Sequence, residues 1–199
     1  MPHVSAIVLA AGKSERMGRP KLLLPIGETT MIGNVLDSVL ASSVHEVIVV
    51  VGHQADAVRE AIGERRVRIV HNPDYEAGMF SSVLCGLEAV AEGADAVLLA
   101  LGDQPNVPPS VIDRLIEASA ATDKGLVVPS CVHEGRKRRG HPVLIDARYI
   151  PQIRELSGDQ GLRELFVRHH DDIEFVPFDT PVIIDDLDTP EDYDRLERT

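Results

Sequence analysis

Short runs of uninterrupted apolar residues alternate along this chain with segments whose apolar positions recur three and four residues apart. A run apolar throughout fits a strand covered on both faces, and the wider spacing fits one face of a helix. Ala6-Ile7-Val8-Leu9, entering Ala10-Ala11-Gly12, is predicted as the first strand and the loop that leaves it. Met31, Ile32, Val35, Leu36, Val39 and Leu40 follow at helical spacing, with Thr29 or Thr30 placed to cap the helix. Glu46–Val51 reads as a second strand ended at Gly52, Ala55–Ile62 as a short helix and residues 67–70 as a third strand. Residues 79–91 read as a helix and Ala96–Leu101 as a strand stopped by Gly102-Asp103. Pro108 or Pro109 opens a helix that runs to Ala121. Later strands are predicted at residues 125–129, 142–145, 173–178 and 182–187, before a closing helix over 190–198.

This alternation implies right-handed crossovers and a mostly parallel sheet covered on both faces. The expected fold is α/β, a Rossmann-like three-layer sandwich forming one domain over residues 1–199. In such sheets ligands bind beyond the carboxyl ends of the strands. The loop from Ala10 to Lys21 and the turn Gly102-Asp103-Gln104-Pro105 are both expected there.

Composition narrows the partners. Aromatic residues make up 4% of the chain and Trp is absent, so the core must be built from Val, Leu, Ile and Ala. With 20 Lys and Arg against 32 Asp and Glu, the formal charge of −12 repels phosphate backbones and argues against nucleic-acid binding. The cations are unevenly placed. Lys13, Arg16, Arg19 and Lys21 crowd one loop, and Arg136, Lys137, Arg138 and Arg139 are consecutive, which suggests small anionic ligands. Cys85 and Cys131 have no metal-ligand spacing. The start lacks the basic segment of a signal peptide, and no apolar run approaches the roughly 20 residues that span a membrane, so a cytoplasmic protein without a membrane partner is expected.

Three segments carry candidate chemistry. In the loop from Leu9 to Lys21, small residues let backbone N–H groups approach a polyphosphate, and Lys and Arg neutralise its charge. The same composition also fits a solvated basic loop. Asp103, following an apolar strand, fits either a ligand for a hard cation such as Mg²⁺ or a residue that caps a turn. The acidic stretch Asp185-Asp186-Leu187-Asp188-Thr189-Pro190-Glu191-Asp192 fits a second cation-binding position. It equally fits the start of a helix, with Thr189 as cap and Pro190 in the first turn. Asp103 and Asp188 can share one ion if their segments meet.

Together these segments resemble the molybdenum-cofactor nucleotidyltransferases, within the wider superfamily of nucleotide-sugar pyrophosphorylases. The family opening is matched by Leu9, Gly12, Ser14, Arg16, Met17, Gly18 and Lys21, its Gly-Asp-x-Pro by Gly102, Asp103 and Pro105, and its terminal motif by Asp186, Asp188, Thr189, Pro190, Glu191 and Asp192. The resemblance implies the nucleotide-diphospho-sugar transferase fold and transfer of a nucleoside monophosphate from a triphosphate, dependent on Mg²⁺. It implies a nucleotide site at Leu9, Ala10, Ala11, Gly12, Lys13, Lys21, Ser81, Ser82, Gly102 and Asp103. Arg16, Lys21 and Asp103 would serve catalysis, and Asp103 and Asp188 the metal. Leu9-Ala10-Ala11-Gly12 is similar to the cytidylyltransferase branch, in which the Ala11 methyl would narrow the base pocket and favour CTP. Arg139, His141 and Asp159 resemble acceptor-side positions, so the implied acceptor is molybdopterin cofactor and the implied partner a recipient molybdoenzyme. Ser81 and Ser82 alternatively cap a helix, and Arg136 to Arg138 alternatively form a solvated loop. The competing functions are guanylyl transfer, transfer to a sugar or polyol phosphate, and a non-catalytic cofactor carrier.

Overall fold

Strand β1 (Val4–Ala10) is apolar except at Ser5, and its successive side chains meet two different cores. Ala6, Val8 and Ala10 face one side of the sheet and Ile7 the other, as the two-residue period of a strand requires. Ser5 is buried yet satisfied, its Oγ donating to Glu46 Oε1 at 2.5 Å. The structure, a computed structural model, describes residues 1–156 and 161–196.

After β1 come a small ribbon of β2 (Pro25–Ile26) and β3 (Thr29–Thr30), α1 (Met31–Leu40), β4 (Glu46–Val51), α2 (Ala55–Ile62) and β5 (Arg68–His71). The chain continues through α3 (Met79–Glu88), β6 (Ala96–Leu101), α4 (Pro109–Ala120), β7 (Leu126–His133), β8 (Arg136–Arg139) and β9 (Val143–Asp146). It closes with α5 (Ile150–Glu155), α6 (Gly161–Arg168), β10 (Ile173–Pro177) and α7 (Pro190–Leu196).

The main sheet has the order β10-β7-β9-β6-β1-β4-β5, with β8 paired to β7. β6, β1, β4 and β5 run parallel, as do β7 and β10, while β9 is antiparallel to both β6 and β7. Helices α1, α2 and α4 pack their buried stripes on one face, and α3, α5 and α6 on the other. The result is a single-domain, three-layer α/β fold with a mostly parallel sheet. Among the described residues, no helix is long and apolar enough to cross a membrane.

Local chemistry sets several boundaries. Of the two candidate caps of α1, Thr30 is the one used, its Oγ1 accepting from Gly33 N at 3.2 Å. Three expectations are corrected. Residues 182–187 are no strand: Pro181 opens a 3-10 turn (Pro181–Ile184), Thr180 Oγ1 accepts from Val182 N, and the following backbone is irregular. Arg136–Arg139 is no loop but a strand paired to β7 from Ser130 to His133. Neither Ser81 nor Ser82 caps α3, whose N-cap is Gly78; Ser81 Oγ donates instead to Asp74 O and Gly78 O.

Candidate functional site

β1 and β6 are adjacent and parallel, so the loop after Ala10 and the turn at Gly102-Asp103 emerge side by side. They open onto a cleft of about 670 Å³. Leu9, Ala11, Gly12, Lys13, Arg16 and Lys21 line one wall. Tyr75, Glu76, Met79 and Ser82 line another, while Asp103, His141, Asp186 and Asp188 close it.

The loop is shaped by a tight turn. Ser14 takes a left-handed backbone (φ 57°), and its carbonyl accepts from Met17 N and Gly18 N. Its hydroxyl accepts from Lys21 N at 3.3 Å, which fixes the start of the 3-10 turn Lys21–Leu23. A non-glycine residue held at positive φ stores strain that the surrounding contacts must sustain. The Lys21 side chain then reaches across the cleft. Its Nζ donates to Asp103 Oδ2 at 2.5 Å and to Asp188 Oδ1 at 2.7 Å. Arg16 pairs with the other oxygen of Asp188 at 2.7 Å.

Burial alone would lower the Lys21 pKa, but the Asp103 carboxylate and then Asp188 outweigh it and leave the ammonium above its ordinary value. For Asp186, burial and the neighbouring Asp103 charge raise the pKa, against the Gln104 amide that donates to it. Burial lowers the His141 pKa, partly offset by Asp103.

Asp103 Oδ1 is buried and has no hydrogen-bond partner among the described residues. A buried carboxylate oxygen without a donor is costly unless a cation or another donor fills the place. Lys21 already holds a positive charge between Asp103 and Asp188. Lys21 takes one oxygen of each carboxylate, and the open Asp103 Oδ1 is an anionic oxygen donor of the kind that suits a hard divalent cation. Among the described residues no group of three or more His, Cys, Asp or Glu is arranged for a metal. Mg²⁺ bound through one or two carboxylates needs none, because water and substrate phosphates complete its shell.

Not every residue singled out in the sequence reaches this cleft. Ala10 faces the core, and Gly102 N bonds Leu9 O behind the wall. Ser81 does not line the cleft whereas Ser82 does, and both hydroxyls accept from the Asn72 amide at 2.8 and 3.0 Å. Arg139 is exposed on β8 and lies, with Lys137, over the Phe175 ring. Strand alternation sends Arg136 and Arg138 to the opposite face, so the four consecutive cations do not form one patch. Asp159 lies outside the described residues. Ala11 is buried beside Gly52 and Tyr75. A methyl on Gly52 would stand 2.8 Å from Ala11 Cβ and 2.6 Å from Tyr75 Cβ, so this corner of the cleft has no spare volume.

Two buried amides escaped the sequence. Asn72, followed by Pro73, lies outside every motif singled out in the sequence. Its side chain accepts from Asp74 N while holding both serines. Gln104 read as the variable position of Gly-Asp-x-Pro, yet only 4% of its surface is exposed.

The chain matches the MobA-like NTP transferase domain over residues 6–173. It is 35% identical to the nicotine blue oxidoreductase of Paenarthrobacter nicotinovorans, covering 100% of this chain and 95% of that one. It is 28% identical to the molybdenum cofactor cytidylyltransferase of Escherichia coli, covering 97% and 95%. The crystal structure of Rv0371c from Mycobacterium tuberculosis superposes with a TM-score of 0.87 at 32% identity, over 100% of this chain and 98% of that one. A second Rv0371c structure, solved as a complex with manganese, matches with a TM-score of 0.80.

Proposed function

Because the chain belongs to the MobA-like NTP transferase family, we propose that this nucleotidyltransferase moves CMP from CTP to molybdopterin cofactor and releases pyrophosphate. The observation that carries the reading is the convergence of Lys21, Asp103 and Asp188 at the mouth of the parallel strands, with Asp103 Oδ1 left open. An oxygen of the acceptor's terminal phosphate attacks the α-phosphorus of CTP. The bond to the bridging oxygen breaks, and pyrophosphate leaves with the electron pair. A phosphate monoester has a second pKa near about 6, so the nucleophile is already dianionic at neutral pH and needs no protein base.

The chain's own task is then placement and charge. Backbone N–H groups around Gly12 face the polyphosphate, and Lys13, Arg16 and Lys21 neutralise it. Ser82 and the Ala11 corner bound the nucleotide side, and His141 hydrogen-bonds on the acceptor side. Asp103 and Asp188 would hold Mg²⁺, which supplies charge neutralisation at the reacting phosphates.

Pyrophosphate release on mixing protein, Mg²⁺, molybdopterin cofactor and each of CTP and GTP tests this. Release with CTP is expected; release with GTP alone would move the assignment to guanylyl transfer. The 35% identity to a nicotine blue oxidoreductase favours a second reading, oxidoreduction. Reduction of nicotine blue by an added electron donor without pyrophosphate release would establish that reading instead. The lysine-bridged carboxylates favour phosphoryl chemistry.

A further inference from the structure

Asp103 and Asp188 are distant in sequence, and no strand delivers Asp188 to the cleft. Residues 181–184 instead form a 3-10 turn packed beside β7 and β8, and irregular backbone follows to Asp188. This stretch also lies beyond residue 173, where the family match ends. Irregular backbone keeps a carboxylate in place only through the bonds that tie it down. Leu187 N donates to Asp103 O at 3.1 Å and His141 N to Ile183 O at 2.8 Å. Asn106 Nδ2 donates to Asp185 Oδ2 at 3.2 Å. Gln104 Nε2 donates to Asp186 Oδ1 at 2.5 Å and to Ile183 O at 3.3 Å. Among the described residues, Gln104 is the side chain that grips this stretch at two points, and it does so from a buried position.

We propose that Gln104 is the positioning residue of the cation site, its amide holding residues 183–186 so that Asp188 faces Asp103. Gln104 does not line the cleft; it acts through Asp186 and Ile183. A shift of the stretch by one bond length would separate the carboxylates and leave Lys21 bonded to Asp103 alone. The proposal rests on Asp103 and Asp188 forming the divalent-cation pair, and extends that pair to the residue that sets its spacing.

The test is Mn²⁺ binding to the whole protein without nucleotide, read by electron paramagnetic resonance, alongside metal-dependent turnover. Gln104→Met keeps side-chain length and adds no charge, but removes the donor. Its Mn²⁺ affinity is expected to fall at least about tenfold, as loss of a partner behind a metal ligand does. Saturating Mn²⁺ is expected to restore kcat, so the defect appears in the metal requirement. Unchanged Mn²⁺ affinity in Gln104→Met overturns the proposal. So does weakened affinity with a kcat that saturating metal leaves low, since that marks general damage to the site. If Gln104→Met does not fold, Gln104→Asn, which keeps the amide but shortens its reach, carries the same expectations. Failure of the underlying reading looks different: wild-type protein then binds no Mn²⁺, or Asp103→Asn binds it as well as wild type.

Discussion

At Lys21 burial and charge pull in opposite directions, and the two carboxylates prevail. Lys21→Ala would leave Asp103 and Asp188 facing each other, with Arg16 on Asp188 only. Turnover is expected to fall by at least about 10²-fold, the scale of losing one preorganised charge in a phosphoryl site, with an unchanged circular dichroism spectrum. A second, part-buried junction lies away from the cleft. Asp172 Oδ2 accepts from Tyr149 Oη, Gly125 N and Arg148. Burial raises the Asp172 pKa, but these donors overcome it and hold the group below the usual carboxylate range. Burial, then the bond to Asp172, pushes Tyr149 up to about 12. The folded state therefore keeps the phenol proton where the unfolded chain loses it. Stability from this group is full below about pH 10 and drains away as pH rises towards about 12. Urea midpoints across that window should fall less steeply in Tyr149→Phe than in wild type. Charged residues such as Lys21 and Asp103 stand out in a sequence because their chemistry is visible in their type. Buried amides such as Gln104 and Asn72 do not, because an amide's role depends on which carbonyl or carboxylate the fold brings to it.

Elements differ in how far local pattern determines them. β4 and β6 occupy the residues that their uninterrupted apolar runs predict, since both faces of each strand are covered. Residues 182–187 carry a similar β-branched pattern yet form no strand. Their backbone partners are Gln104, His141 and Asp103, which lie far away in the chain. Arg136–Arg139 misleads in the opposite sense: its charges mask a strand whose alternation lays Lys137 and Arg139 on Phe175. Two substitutions probe elements directly. Thr30→Ala removes the α1 cap and should cost about 1 kcal/mol in urea unfolding. Gly140→Ala, on the short link between β8 and β9, would place Cβ 2.0 Å from Ile183 O, where backbone must move. Its expected cost of about 1–3 kcal/mol is that of overpacking, and Mn²⁺ affinity should fall with it because Ile183 belongs to the stretch that carries Asp188.

On the scale of the whole molecule, a chain of net charge −12 gathers Lys13, Arg16 and Lys21 at one cleft. The cleft lining also carries Glu15, Glu76, Asp103, Asp186 and Asp188, so an anionic nucleotide approaches against a repulsive field that a bound divalent cation would offset. A nucleotide present at about 100 times its dissociation constant should stabilise the fold by about 2.7 kcal/mol. Thermal melting with Mg²⁺ and CTP, GTP, ATP or UTP should show this shift for CTP, and a chelator should abolish it. The layered architecture was legible from alternation alone, because burial on both faces of a parallel sheet writes itself into consecutive residues. The convergence of residues 9–21, 103 and 188 on one cleft depended on strand order, which alternation does not specify. Every strand of the sheet is complete by Pro177, whereas the second carboxylate arrives only at Asp188. A chain cut after Pro177 would thus keep every strand of the sheet and lose Asp188.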